Sequence, residues 1–179
     1  MKSLFALMIC LCSVSLKAQI FMPVDERSKV GFSIKNFGLP TGGSFKGLKG
    51  TIFFDTANVS ASSFNVTVDA TTINTGINAR DNHLRKEEYF AADKYPVLSF
   101  ISETVSRTQR PETLMVYGKL MIKGIEKNVA FPFTATAKDG GYVFAGMFKV
   151  NRRDFKVGKG SFILSDNLDV SLSVFSKKI

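Results

Sequence analysis

The sequence predicts an all-β chain of about eight antiparallel strands, interrupted by one short helix. Three observations carry this. From Ser28 nearly to the C-terminus, apolar residues recur with period two, which marks strands with one face buried. Turn chemistry separates the runs at Pro40–Thr41–Gly42–Gly43, Asp139–Gly140–Gly141 and Gly158–Lys159–Gly160. One stretch, Asn78 to about Ala92, abandons the alternation for helix-compatible residues.

In chain order, residues 1–18 come before any strand. Met1–Lys2–Ser3 is basic, Leu4 to Leu16 is mostly apolar, and Ala18 is a small residue just before Gln19. That is the layout of a secretory signal peptide, which leaves residues 19–179 as a single mature domain. Cleavage after Ala18 removes both cysteines, Cys10 and Cys12. The expected product is exported, has no disulfides and is stable through packing alone. No later apolar run approaches the 18 or more residues of a spanning helix, so a helical membrane protein is excluded.

The strands follow. Val30, Phe32 and Ile34 share a face, and Phe45 to Phe54 forms the next segment. Phe64, Val66 and Val68 alternate with Asn65, Thr67 and Asp69. Asn78 is a candidate cap for the helix, with Asp81 in the capping-box position, and Pro96 returns the chain to extended geometry. Of this segment only Leu84, Tyr89, Phe90 and the alanines offer apolar contact, so the helix is expected to lie over an opening or an edge. Val97 to Val105 resumes the strands. Leu114, Val116, Gly118, Leu120 and Ile122 share one face, as do Val129, Phe131, Phe133 and Ala135. Tyr142, Phe144, Gly146 and Phe148, then Leu168, Val170, Leu172 and Val174, complete the set.

Eight such strands either close as a barrel or stack as a sandwich. The inner face carries Phe32, Ile34, Phe64, Phe100, Phe131, Phe133, Phe144 and Phe148, part of a total of 17 Phe with no Trp. With Gly118 and Gly146 withholding side chains, this face suits a barrel holding an elongated apolar cavity. The same phenylalanines would also fill a sandwich core.

The remaining chemistry is sparse. A zinc site needs three or four ligands, and His83 is the sole histidine. No Gly-x-Ser-x-Gly elbow accompanies it, and Gly158–Lys159–Gly160–Ser161 lacks the spacing of a P-loop. The residues imply no catalytic centre, metal or organic cofactor. The formal charge of +9 falls to +7 without Lys2 and Lys17, and the cations are dispersed rather than blocked. No nucleic-acid motif is present. At about 100° per residue, Arg80, His83 and Glu87 fall within an arc of about 60°. These side chains either hold a polar head group at a barrel mouth or lock the helix in place. Arg152 and Arg153, read as adjacent strand residues, point to opposite faces, one of them inward.

The order of motifs resembles the YceI-like family, the lipocalin-like polyisoprenoid-binding proteins. The matching stretches include Ser28 to Lys35, Gly43–Ser44–Phe45–Lys46–Gly47, and Ile73–Asn74–Thr75–Gly76 leading to Arg80–Asp81–Asn82–His83–Leu84. They continue through Tyr89–Phe90, Lys94–Tyr95–Pro96, Gly118–Lys119–Leu120 and Phe131–Pro132, closing at Arg152–Arg153–Asp154–Phe155. The match runs from about Lys29 to Val174. It departs at Lys156, where the family commonly has glycine. The resemblance implies an eight-stranded antiparallel lipocalin-like barrel with its helix near the mouth. It also implies an isoprenoid or other long-chain lipid as ligand, and export to the bacterial periplasm. The residues expected at the ligand are Phe32, Ile34, Phe64, Phe100, Phe131, Phe133, Phe144 and Phe148, with Arg80, His83 and Arg152 at the mouth.

Two functions of different class fit this sequence: an exported lipid-binding barrel, and a secreted enzyme using the same cavity as a substrate pocket. An integral outer-membrane barrel fits poorly. It would turn Lys35, Lys119, Lys123 and Lys149 toward lipid, at about 2–4 kcal/mol each at the midplane.

Overall fold

Alternation in the sequence becomes a closed ring of hydrogen-bonded strands. The structure, a computed structural model, describes residues 19–179; the expected signal peptide, with Cys10 and Cys12, lies outside the described residues. The strands are β1 (Gln19–Pro23), β2 (Lys29–Asn36), β3 (Leu39–Phe54), β4 (Ser63–Asn74), β5 (Val97–Arg107), β6 (Thr113–Ile122), β7 (Ile125–Lys138), β8 (Gly141–Asn151) and β9 (Leu164–Lys178). One helix, α1 (Asn78–Arg85), interrupts them between β4 and β5.

All pairings are antiparallel, and the ring runs β3–β2–β9–β8–β7–β6–β5–β4 and back to β3. These eight strands close the barrel. The additional strand β1 does not widen it. Phe21 pairs with Ile52 of β3 on one side and Lys178 of β9 on the other, beyond the stretch where β2 pairs with those same two strands. β1 and β2 thus share one place in the ring, separated by a 3-10 turn at Asp25–Arg27. The Asp25 carboxylate accepts from the Gly47 and Leu48 amides at 3.1 and 2.9 Å. It thereby satisfies backbone groups where β3 bulges out of register with β4.

One end of the barrel is a packed aromatic floor. Phe21 meets Tyr142 edge-on at 5.3 Å, Phe54 meets Phe144 at 5.2 Å, and Phe64 meets Phe133 and Phe144 at 5.4 Å each. Edge-to-face pairs of this kind contribute about 0.5–1.5 kcal/mol apiece beyond the area they bury. The barrel and sandwich alternatives meet in this arrangement, because the chain is a closed barrel with one half filled like a core.

Several local expectations give way. Pro40–Gly43 is strand; the turn is Phe37–Gly38, both at positive φ (51° and 75°), which is the backbone of a tight two-residue hairpin. Asp139–Gly140 makes the same turn where the sequence placed one. Gly118 leaves no gap. A Cβ there would lie 2.3 Å from the Ile101 carbonyl oxygen, so the glycine admits the backbone of β5 at its bulge between Ser102 and Thr104. Gly146 likewise sits against the Pro132 carbonyl and Phe133 rather than beside a void. The bulge also shifts the phase of β5, so that Leu98 and Val105, an odd number of residues apart, are both buried.

Candidate functional site

The half of the barrel above the floor encloses a cavity of about 520 Å3, within the range of roughly 300–1,000 Å3 typical of small-molecule sites. Its walls come from alternate residues of the ring: Phe32 and Ile34 of β2, Leu48 of β3, Val66 and Val68 of β4, Phe100 of β5, Leu120 of β6, Phe131 of β7, Phe148 of β8 and Leu168, Val170 and Leu172 of β9. Along β9 the lining extends from Leu164 to Val174, roughly 33 Å of strand at about 3.3 Å per residue. Phe131 and Phe148 stack at 4.2 Å, and Phe100 leans on Phe131 at 5.4 Å. Phe32 owes its position to a glycine. A Cβ at Gly43 would lie 2.3 Å from the Phe32 ring, so the ring lies flat over the backbone of β3.

Of the expected ligand residues, Phe32, Ile34, Phe100, Phe131 and Phe148 are therefore at the cavity wall. Phe64, Phe133 and Phe144 are not; they point inward but into the closed floor. Both groups satisfy the same alternation, and only the partners across the ring separate them. The sequence reading missed the aliphatic part of the wall, Leu48, Leu120, Leu168 and Leu172, although the last three stood in the correct phase.

A lid covers the end opposite the floor. The helix is shorter than expected, and the chain continues after Arg85 in turns, with Leu84, Tyr89 and Phe90 facing the cavity. Phe90 meets Phe45 at 5.5 Å, and Tyr89 rests on Gly158. The Gly158 amide donates to the Glu88 carbonyl at 2.9 Å, and Lys123 Nζ donates to the Lys156 carbonyl at 3.0 Å. Lys156 itself has φ 53°, a left-handed backbone that favours glycine, the residue the resemblance leads one to expect here. At the other edge Arg85 straps the helix to β4 through the Thr71 and Ile73 carbonyls, at 2.6 and 3.1 Å.

The capping-box expectation does not hold. Ile77 occupies the cap position, and the buried Asp81 carboxylate turns outward from the helix to accept from the Thr75 amide at 2.9 Å and Thr75 Oγ1 at 2.5 Å. Thr75 in turn accepts from Arg80, Nε to Oγ1 at 2.7 Å and Nη2 to the carbonyl at 2.8 Å. Arg80 is thus oriented while its Nη1 group keeps no hydrogen-bond partner among the described residues, and it lines the mouth. His83 is exposed at the same rim with its ring edge-on to Tyr89 at 5.0 Å; Glu87 falls beyond the helix, so the three-residue face is not formed.

Arg152 also corrects its expectation. It begins a 3-10 turn, Arg152–Phe155, rather than ending a strand, and it is 4% exposed. Nε donates to the Ser165 carbonyl at 2.9 Å, and Nη1 to those of Val157 and Lys159 at 2.9 and 2.8 Å. Nη2 reaches Asp166 Oδ1 at 2.7 Å and the Leu164 carbonyl at 3.4 Å. All five donors are consumed by the loop that joins β8 to β9 and by the first three residues of β9. This guanidinium borders the cavity as a lock on that loop, with nothing left for a head group.

Around the mouth stand Asn36, Thr41, Thr75, Arg80, His83, Ser161 and Ile163. The site is thus an apolar tube, closed below by aromatics, with one oriented and partly unsatisfied cation at its polar opening.

Comparison with known proteins agrees with this geometry. The model of the YceI-like domain matches residues 23–175. A UPF0312 protein of Photorhabdus laumondii is 31% identical over 156 residues, 83% of this chain and 80% of its own. Protein YceI of Escherichia coli is 29% identical over 158 residues, 83% of this chain and 81% of its own. The crystal structure of BcnA from Burkholderia cenocepacia superposes with a TM-score of 0.81 at 26% identity, covering 86% of this chain and 98% of that one. A polyisoprenoid binding domain from Saccharophagus degradans, implicated in plant cell wall breakdown, shares the fold, with a TM-score of 0.72 at 14% identity over 91% of this chain and 100% of that one. The chain belongs to the YceI-like family.

Proposed function

We propose that the protein is an exported binding protein that holds a polyisoprenoid or another long-chain amphiphilic lipid, its tail in the barrel and its polar head at the mouth. The observation that carries this reading is the cavity: about 520 Å3, elongated, walled by phenylalanine and leucine, and opening beside Arg80. A flexible apolar chain asks for contact area rather than fixed hydrogen bonds, and each methylene-sized unit buried contributes about 0.8 kcal/mol. Roughly ten such units give about 8 kcal/mol before the costs of ordering chain and protein. Arg80 Nη1 supplies a donor to an oxygen-bearing head, a charge-assisted bond worth about 1.5–3 kcal/mol. The Saccharophagus relative of the same fold, described as polyisoprenoid binding, points the same way. Residues 1–18 act as the signal peptide, and the periplasm is the destination.

Mass spectrometry of an organic extract from freshly purified protein tests the reading. A stoichiometric long-chain lipid with an oxygenated head is expected. An empty extract, together with no uptake of a fluorescent fatty chain, overturns it.

A further inference from the structure

Four exposed apolar side chains gather at one lip of the cavity. Phe162 is fully exposed, Phe37 and Leu39 are 71% and 70% exposed, and Ile163 is 47% exposed. Two segments bring them together: the Phe37 amide donates to the Ile163 carbonyl at 2.8 Å, Asn36 pairs with Leu164, and Leu39 faces Asn36 across the hairpin turn. Asn36, Thr41, Ile163 and Leu164 line the opening itself. Folding does not ask for this patch. Phe37 occupies a positive-φ turn position that favours Asn or Gly, and Phe162 buries no surface.

Cations flank the patch. Lys35 and Lys159 are exposed, Arg153 lies against Gly160, and half-buried Arg80 lines the mouth. Of the acids at this end, Asp166 is paired with Arg152, Glu88 borders the cavity, and exposed Asp154 adjoins Arg153 in the turn after β8. Without Lys2 and Lys17 of the proposed signal peptide, the formal charge of +9 becomes +7, still strongly positive. Aromatic and aliphatic tips beside lysines are the composition that settles into a membrane interface with anionic head groups.

We propose that this lip docks on the surface of an anionic lipid bilayer. Phe37, Leu39, Phe162 and Ile163 enter the interface, while Lys35, Arg153 and Lys159 meet lipid phosphates. The mouth is then held against the bilayer, and a lipid passes between membrane and barrel without crossing water. The passage of a lipid into the barrel rests on the lipid-binding reading above; the docking itself does not.

Flotation with vesicles of phosphatidylethanolamine and phosphatidylglycerol, compared with phosphatidylcholine alone, tests the inference. Binding to the anionic vesicles is expected, weakening as salt is raised. The double variant Phe37→Asn/Phe162→Ser should bind about tenfold more weakly, as should Lys35→Glu/Arg153→Glu. Both variants should unfold at the unmodified temperature and take up a fluorescent fatty chain from solution as before. No binding to phosphatidylglycerol vesicles, or binding that neither variant weakens, overturns the proposal. So does a dimer that Phe37→Asn/Phe162→Ser converts to monomer while vesicles are ignored, which would make the patch an interface between two copies. Rim-dependent vesicle binding by a protein whose cavity takes up no chain upholds docking and removes the lipid-binding function. Uptake without docking does the reverse.

Discussion

Arg152→Met separates a loop lock from a head-group contact. Methionine keeps much of the length of the side chain and removes every donor. Four bonds of 2.7–2.9 Å and one of 3.4 Å are lost, from a side chain that is 4% exposed. At about 1.5–3 kcal/mol for each charged hydrogen bond the four short ones would total roughly 6–12 kcal/mol, which overstates the loss. The loop carbonyls recover water once the segment opens, and Asp166, 44% exposed, is already partly hydrated. Removing one partner of a buried pair costs about 3–5 kcal/mol, and that is the expected effect here. In a domain of this size each kcal/mol moves the midpoint by about 2–4 °C, so thermal unfolding should fall by roughly 6–20 °C. Lipid uptake measured well below the new midpoint should persist, with faster release as the loop beneath Tyr89 loosens. A stability change below about 1 kcal/mol accompanied by lost uptake would refute the lock and make Arg152 a ligand contact.

Further outcomes follow from the division between floor and cavity and from the surface charges. Phe144→Trp overpacks the floor and should cost about 1–3 kcal/mol in urea unfolding while leaving lipid uptake intact, whereas Val170→Trp enters the cavity and should block uptake at little cost in stability. Lys119 has its pKa raised above 10.5 by its hydrogen bond and attraction to Glu126 at 3.1 Å, with Glu103 adding to it. Because the folded value is the higher one, this contribution is complete below pH 10.5 and is lost as the pH rises through the folded pKa; in Lys119→Met the alkaline limb of a stability–pH profile should flatten. N-terminal sequencing of protein recovered from its host should begin at Gln19, the first residue of β1.

The strands were legible because burial on one face fixes every second residue, a rule that β6 keeps along its length, while β4 breaks it between Ala70 and Ile73 and β9 at Val174–Ser176, all of them buried. What the alternation could not distinguish is an inward side chain that meets a partner from one that meets space. Phe144 and Phe148 lie on one face of β8, four residues apart. Phe144 finds Phe54 and Phe64 opposite, while Phe148 stacks on Phe131 with the cavity beyond. That difference belongs to strands distant in sequence. Gly118 misled for a related reason: a missing side chain reads as a gap until the β5 bulge fills it with backbone. The mouth was legible only as a set of residue types. Arg80 and Arg152 look alike in a sequence, yet Thr75 leaves one with an amino group free among the described residues, and five acceptors in the β8–β9 loop and the start of β9 exhaust the other.

The shared place of β1 and β2 also sets the order in which the molecule can be assembled. The ring is sealed by Phe21 against Lys178 and by Phe32 against Val170, contacts between the two extremes of the folded chain. A polypeptide delivered N-terminus first therefore holds two unpaired strand edges until Leu164–Lys178 arrives, and such long-range pairing is slow to form. The last strand acts as a clasp. If the chain is exported as proposed, its own topology keeps it open until nearly all of it has crossed the translocation pore.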